Sequence, residues 1–152
     1  MGIIKPHFPS LRSNRGRKRI YSYREILNSI FYLLLSGCAW RMLPYEFPHW
    51  KTVYHYFRVC RLKRIWEHIN TVLRTELRLV NGRESEPSAT ILDSQSVKTT
   101  ETSGIRGYDA GKKIKGRKRR ILVDTTGLLL KVIVHAADIQ DRDGAKLVLE
   151  KV

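Results

Sequence analysis

The hydrophobic pattern of this 152-residue chain changes its period near residue 82. Up to that point apolar residues recur every three or four positions, which is typical of amphipathic helices. Beyond a polar linker at residues 83–88, short runs rich in isoleucine, valine, leucine and threonine indicate strands. The sequence therefore predicts an α+β protein in which a helical region, residues 1–82, is joined to an incomplete α/β region, residues 89–152.

Three helices are expected in the first region. Ser22 and Glu25 have the spacing of a capping box, and Gly37 is a natural stop for the helix that they begin. A second helix is predicted from about Trp50 to Cys60, with Trp50, Val53, Tyr54 and Phe57 sharing its apolar face. A third is predicted from about Leu62 to Val80. Together these helices resemble a helix-turn-helix-like module.

Three strands are expected in the second region, at residues 89–97, 118–124 and 128–137. Thr125–Gly127 is short enough to join the last two strands as a hairpin. A further helix is predicted to begin near Asp143, with Asp141 or Asp143 as its N-cap. Asp124 precedes the turn and is most simply a hairpin residue.

The chain carries 29 lysines and arginines against 14 acids, a formal net charge of +15. The excess is concentrated at residues 1–20 and 106–120, which favours a polyanionic partner bound at a defined surface. The most apolar run, Ile26–Leu35, is too short to cross a membrane, and no signal peptide or lipidation motif is evident. Two cysteines without a CxxC pair indicate a reducing compartment, so we expect a cytoplasmic protein without a membrane partner.

Asp93 is the most informative candidate site residue, because it lies in an otherwise apolar strand where aspartate is depleted. A carboxylate near a basic run could bind Mg²⁺, which prefers oxygen ligands and substrate phosphates. The alternative is an aspartate at a strand end that hydrogen-bonds the loop of Ser94 and Ser96. From the residues alone both interpretations stay open.

Several segments, in order along nearly the whole chain, resemble the bacterial insertion-sequence transposases of the DDE class, insertion-sequence-five type. The segments are Tyr23–Tyr32, Gly37–Pro44, Trp50–Phe57, Asp93–Thr99, Gly116–Arg119 and Asp138–Ala145. The resemblance implies a ribonuclease-H-like catalytic domain in which three carboxylates bind two Mg²⁺ or Mn²⁺ ions.

By this resemblance the first carboxylate is Asp93, on the first strand. The second and third belong to a later strand and a later helix, which would lie beyond Val152, so we expect the truncated N-terminal portion of a transposase. We do not assign their roles to Asp124, Asp138, Asp141 or Asp143. One carboxylate cannot hold two divalent ions, so we expect this polypeptide to be inactive by itself.

Contacts to double-stranded DNA are expected from three sets of residues. An N-terminal arm would follow phosphates, one face of the second helix would meet a groove or phosphates, and the basic run would lie beside the scissile phosphate. For the second helix the alternative is a solvated polar face. The three sets are Arg15, Arg17, Lys18 and Arg19; Lys51, Thr52, His55 and Arg58; and Lys112, Lys113, Lys115, Arg117, Lys118, Arg119 and Arg120.

The leading functional hypothesis is a transposase fragment, or the upstream half of a split reading frame, acting in the bacterial cytoplasm at the nucleoid. Its partners would be the terminal inverted repeats, target DNA, and a second copy or a downstream-frame product. A second hypothesis is a non-catalytic DNA-binding regulator that inhibits the intact transposase. A third is a basic RNA-binding protein.

Overall fold

A computed structural model of the protein describes residues 3–8, 20–99 and 104–151. It confirms the α+β class. The helices are α1 (Tyr23–Ser36), α2 (Trp50–Leu62), α3 (Ile65–Val80) and α4 (Asp141–Leu149), and the strands are β1 (Thr90–Lys98), β2 (Gly107–Asp109), β3 (Ile114–Asp124) and β4 (Leu129–Ala136). Short 3₁₀ turns occur at Lys5–His7 and Trp40–Met42.

The chain forms two compact units, Met1–Leu73 and Arg74–Val152. The linker expected at residues 83–88 follows the end of α3, and the domain limits inferred from it stay a prediction. No helix within the described residues is long and apolar enough to span a bilayer.

In the first unit, α1 begins at the predicted capping box. The Ser22 hydroxyl accepts a hydrogen bond from the Glu25 backbone N–H at 3.2 Å, and the Glu25 carboxylate accepts one from the Ser22 backbone N–H at 2.7 Å. These bonds, led by the one from the Ser22 backbone, lower the pKa of Glu25. Gly37 ends the helix at φ +66°, a conformation that favours glycine.

The apolar face of α2 differs from the prediction. Val53, Tyr56 and Cys60 are its buried residues, whereas Tyr54 is exposed. Val53 and Tyr56 join Ile26, Ile30 and Leu33 of α1 in one core cluster, so the contact with α1 decides which residues of α2 are buried. A second cluster contains Phe8, Leu27, Cys60, Ile65 and Ile69.

The start of α3 also differs from the prediction, because the helix begins at Ile65 rather than at Leu62. Arg64 has φ +54°, a conformation that interrupts the helical path between α2 and α3. Cys60, at the end of α2, is buried, and burial raises the pKa of its thiol to about 11.

In the second unit, β3 is the central strand of an antiparallel sheet. It pairs with β1 over Thr90–Lys98. It also pairs with β4, and the two strands form the hairpin that was predicted from the turn Thr125–Gly127. The short strand β2, which the sequence did not predict, pairs with the first residues of β3. Consequently β3 begins at Ile114, four residues before the expected start at Lys118.

Alternate residues of β3 face opposite sides of the sheet. We call the side contacted by α4 the inner face; it holds Lys118, Arg120, Leu122 and Asp124, all of them buried. The other side, the outer face, holds Arg117, Arg119 and Ile121 of β3 and the partners paired with them, Val97, Gln95 and Asp93 of β1.

Candidate functional site

Asp93 lies in the interior of β1, opposite Ile121, and its side chain is exposed on the outer face. The side chain forms no hydrogen bond or ion pair with any residue of the described ranges. The alternative of a strand-end aspartate bonded to a serine loop is therefore wrong, because residues 94–96 are themselves part of the strand. The carboxylate oxygens of Asp93 are available to an external ligand.

Gln95 and Arg119, which are partners across β1 and β3, form a polar pair on the outer face. The Arg119 guanidinium donates to the Gln95 side-chain oxygen. Arg119 is diagonal to Asp93 in the strand register, a relation that places their side chains on the same face of the sheet. An exposed carboxylate and an exposed guanidinium thus lie on the same face of the sheet, diagonal to each other.

The described residues do not make a complete metal site. Within residues 3–8, 20–99 and 104–151, no three His, Cys, Asp or Glu side chains come close enough to share an ion. Mg²⁺ needs six oxygen ligands, and two-ion phosphoryl transfer needs several carboxylates. Asp93 alone does not meet this requirement.

Lys118 lies on the inner face and is 4% exposed. Its ammonium group forms ion pairs with Asp109 Oδ2 and Asp141 Oδ1, both at 3.2 Å, and donates to the Ile139 carbonyl at 3.2 Å. A buried ammonium with three such acceptors has its positive charge compensated inside the protein. Lys118 therefore has no free surface with which to contact a phosphate.

Arg120 is more deeply buried, at 2% exposure. It donates to Asp141 Oδ1 at 3.0 Å, to the Gln140 carbonyl at 2.9 Å and to His135 Nε2 at 2.9 Å. Because Nε2 of His135 accepts this bond, the imidazole is neutral, and its Nδ1 carries the hydrogen that is donated to the Ala136 carbonyl at 2.6 Å. The burial of Arg120 and Lys118 removes both residues from the predicted DNA-binding surface.

Asp109, on β2, belongs to the same group of linked side chains as Lys118, Arg120 and Asp141, which we call the inner-face network. The Ser96 hydroxyl donates to Asp109 Oδ2 at 2.6 Å, and the Lys112 backbone N–H donates to Oδ1 at 3.1 Å. The Ser96 bond is the main cause that holds the pKa of Asp109 well below its usual value. The Lys118 ammonium similarly lowers the pKa of Asp141. Asp109, Lys118, Arg120 and Asp141 therefore form one ionised cluster that ties β1, β2 and β3 to α4.

Asp141 or Asp143 was expected as the N-cap of the last helix, and the structure corrects both alternatives. Gln140 is the N-cap of α4, and Asp141 is the first residue of the helix. Its carboxylate lies within reach of Lys118 and Arg120 because the inner face directs both cations toward the start of α4. Two charge-assisted hydrogen bonds from buried cations therefore hold this carboxylate, although its own side chain is largely exposed.

Other predicted contact residues are exposed. Lys112, Lys113, Lys115 and Arg119 of the basic run lie at the surface, and Arg117 is half-buried with its Nε donating to the Ile105 carbonyl at 3.0 Å. The Lys112 ammonium donates to the Ser94 carbonyl at 2.9 Å. In α2, Lys51, His55 and Arg58 are exposed and Thr52 is half-buried. Arg15, Arg17, Lys18 and Arg19 lie outside the described residues.

Sequence reasoning also missed the buried ion pair between Arg78 and Asp124. The Arg78 guanidinium of α3 donates to Asp124 Oδ2 at 2.5 Å, and both side chains are buried. The other oxygen of Asp124 accepts from the backbone N–H groups of Thr126 and Leu128, which confirms its predicted role in the hairpin. Burial raises the pKa of Asp124, but the donors from Thr126, Leu128 and Arg78 outweigh it and hold the pKa below its usual value.

Two family models cover almost all of this chain. Residues 2–70 match the model of a transposase of the IS4/5 family, and residues 84–152 match the transposase DDE domain. No curated protein and no solved structure matches the chain significantly. The DDE match implies a ribonuclease-H-like fold for the second region and the use of a divalent metal by enzymes that carry this domain. The chain therefore belongs to the DDE transposases of the IS4/5 family.

Proposed function

We propose that this chain supplies the DNA-binding surface and the first metal-binding carboxylate of a transposase that cleaves DNA at terminal inverted repeats and joins it to target DNA. The family matches support the wider activity, which is DNA transposition. The observation that carries the finer proposal is the exposed Asp93, diagonal to the exposed Arg119 of β3, on a sheet face that leaves the carboxylate free.

The proposed DNA-binding surface is smaller than the one expected from the sequence. It consists of separate sets on the two units, namely exposed or half-buried residues of α2 in the first unit and of the basic run in the second, together with the N-terminal arm. Its members are Arg15, Arg17, Lys18, Arg19, Lys51, Thr52, His55, Arg58, Lys112, Lys113, Lys115, Arg117 and Arg119. Phosphate contacts of this kind release counterions, so the affinity should depend strongly on salt.

Fluorescence anisotropy of the purified chain on DNA tests this surface. The duplexes come from the two ends of the element that encodes the chain, and scrambled duplexes of the same composition are the control. If about six phosphates are neutralised, the affinity falls by about 10³ between 50 and 200 mM salt. Weak binding that is insensitive to salt, or a preference for RNA over the end duplex, would contradict the proposal.

For Asp93 we propose the role of one ligand for Mg²⁺ or Mn²⁺, with the remaining carboxylates supplied by residues outside this chain. The test uses a longer transposase that contains the chain. Asp93→Asn should abolish cleavage of end DNA in Mg²⁺ while leaving the anisotropy titration unchanged. Asp143→Asn, which alters an exposed carboxylate of α4, is the matched control and should retain cleavage.

The same pair of assays separates the proposal from its alternative. A non-catalytic regulator would protect inverted repeats from nuclease digestion without Mg²⁺-dependent cleavage, and it would inhibit cleavage by the intact transposase. We propose the bacterial cytoplasm, at the nucleoid, as the place of action, since that is where the DNA partner lies. A second copy or a downstream-frame product is the proposed protein partner.

A further inference from the structure

Two histidines from distant parts of the chain meet at the surface of the first unit. His7 ends the 3₁₀ turn Lys5–His7, and His68 lies near the start of α3, 61 residues later. Their ring centroids are 4.7 Å apart, and Nε2 of His68 lies 2.9 Å from Nδ1 of His7. We call these two residues the histidine pair.

The core holds both members of the histidine pair in place. Phe8, directly after His7, is 5% exposed and belongs to the core cluster that contains Ile65 and Ile69 of α3. The ring of Phe8 also packs against the ring of Trp66, with centroids 6.1 Å apart. Packing around the two imidazoles therefore sets their separation, so a ligand would find them already close together.

The hydrogen bond within the histidine pair contributes little stability by itself. One ring nitrogen donates and the other accepts, so at least one of the two rings is neutral. His68 is exposed and His7 is half-buried, so water competes for this bond. Neutral imidazole nitrogen is also the commonest metal ligand among side chains. An ion that coordinates both nitrogens would replace the shared hydrogen.

We propose that the histidine pair binds one divalent ion of a late transition metal, with Cu²⁺ and Ni²⁺ preferred. With metal–nitrogen bonds of about 2.0–2.1 Å, two nitrogens 2.9 Å apart subtend an angle of about 90° at the ion. Neighbouring ligands of a square-planar or tetragonal ion make this angle, and that geometry is typical of Cu²⁺ and Ni²⁺. A tetrahedral Zn²⁺ ion would require the two nitrogens to lie about 3.4 Å apart.

Coordination requires both rings to be neutral and to turn toward the ion. His7 would bind through Nδ1 and His68 through Nε2, with the hydrogen of each ring on its other nitrogen. The ring that held the shared hydrogen reaches this form by proton exchange with water, so a neutral pair releases no net proton. Water fills the remaining ligand positions, since no third His, Cys, Asp or Glu of the described residues is close enough to share the ion.

The chemistry of the histidine pair excludes hard cations. Mg²⁺ and Ca²⁺ are bound by oxygen ligands, usually carboxylates, and the pair offers only nitrogen on a chain with a net charge of +15. Late transition metals bind neutral imidazole and do not need a carboxylate. The pair is thus chemically distinct from the Mg²⁺ or Mn²⁺ ligand proposed at Asp93, and the inference does not depend on the proposed function.

A bound ion would have a structural effect. It would tie the segment Ile3–Phe8 to α3, because one ligand comes from each. Only the folded chain brings the two imidazoles together, so the ion stabilises the first unit by mass action. The midpoint of thermal unfolding should rise with the Ni²⁺ concentration, and addition of EDTA should reverse the shift.

Isothermal titration calorimetry of the purified chain, without a histidine tag and in excess Mg²⁺, tests the binding. At the tightest site Cu²⁺ and Ni²⁺ should each bind one ion per chain, and more tightly than Zn²⁺. His7→Gln and His68→Gln should each weaken binding at least about tenfold, because a ligand contributes no less affinity than the outer residues that orient it. His55→Gln is the matched control, since His55 is an exposed histidine of α2 outside the pair, and it should leave the metal affinity unchanged.

Electron paramagnetic resonance of the Cu²⁺ complex tests the geometry without any substitution. A tetragonal spectrum with hyperfine coupling to two imidazole nitrogens is expected, and His68→Gln, with its fold verified by circular dichroism, should remove that pattern. Binding that both variants of the pair leave intact, or that His55→Gln weakens equally, would overturn the proposal. So would a spectrum without nitrogen coupling, or tighter binding of Zn²⁺ than of Cu²⁺ and Ni²⁺. DNA anisotropy without transition metal, measured separately, distinguishes this failure from failure of the proposed function.

Discussion

Arg120 of β3 donates its Nε hydrogen to Nε2 of His135 on β4 at 2.9 Å, underneath the helix α4. The close approach of α4 to this pair depends on Gly144. A Cβ atom at residue 144 would lie 1.9 Å from Nε of Arg120 and 2.3 Å from its Cζ. The guanidinium cannot move aside without losing its bonds to His135, Gln140 and Asp141.

We therefore expect Gly144→Ala to destabilise the second unit by about 1–3 kcal/mol, the usual cost of overpacking a buried site. Without the clash, Gly144→Ala should increase stability, because alanine favours a helix by about 1 kcal/mol over glycine. Urea unfolding measures the change. Gly111→Ala is the control, since its Cβ would meet nothing closer than Asp109 Oδ1 at 3.6 Å, and it should cause no loss of stability.

A second prediction concerns Arg78. Arg78→Met leaves the buried carboxylate of Asp124 without its cation and leaves the Glu84 carbonyl without the donor at 2.8 Å. An unpaired buried charge is far more costly than a lost surface contact. The urea midpoint should fall markedly, whereas Arg83→Met, which removes only an exposed bond to Thr125, should change stability by less than about 0.5 kcal/mol. Equal effects of the two substitutions would argue against the buried pair.

Acid should destabilise the second unit. The pKa values of Asp109, Asp124 and Asp141 are lowered in the folded protein relative to about 3.9 in an unfolded chain. Below about pH 4 the unfolded state binds more protons than the folded state, so the free energy of unfolding falls as the pH falls. Above that pH the three carboxylates contribute their full stabilisation, and the plot of the free energy of unfolding against pH should be flat.

Urea unfolding between pH 7 and pH 3 measures this dependence. Asp109→Asn should lower stability at pH 7 and make the acid-induced fall shallower, because one of the responsible carboxylates is gone. Asp143→Asn, outside the inner-face network, should leave the shape of the curve unchanged. A fall that is equally steep in Asp109→Asn would show that other groups are responsible.

A cation inside the proposed DNA-binding surface should contribute to DNA affinity, whereas an exposed cation outside it should not. Arg119→Gln removes an exposed charge of the proposed surface, so it should weaken binding up to about tenfold near 100 mM salt and reduce the salt slope by about one. Lys63→Gln removes an exposed charge outside that surface and is the control. Anisotropy titrations at several salt concentrations measure both. An unchanged slope in Arg119→Gln would remove Arg119 from the contact set.

Helix α1 shows how much of the fold local sequence signals can predict. Ser22, Glu25 and Gly37 determine its limits through contacts within a few residues, and those limits were predicted correctly. The end of β3 and the hairpin that follows it could also be predicted from the sequence, since Asp124 and Gly127 form a local turn. The start of α3 could not be predicted in this way, because the interruption at Arg64 is a backbone conformation that no residue type at that position requires.

The sequence by itself determined the family, the α+β class and the candidate carboxylate Asp93, because each follows from residue types, spacing and motifs along the chain. Only the tertiary structure decided which cations of the basic run are buried and which are exposed. Neighbouring cations on a strand alternate between faces, so the packing of α4 buries Lys118 and Arg120 while Arg119 between them stays exposed. Which alternate set is buried depends on pairing register and on what covers the sheet, neither of which a run of lysines and arginines encodes locally.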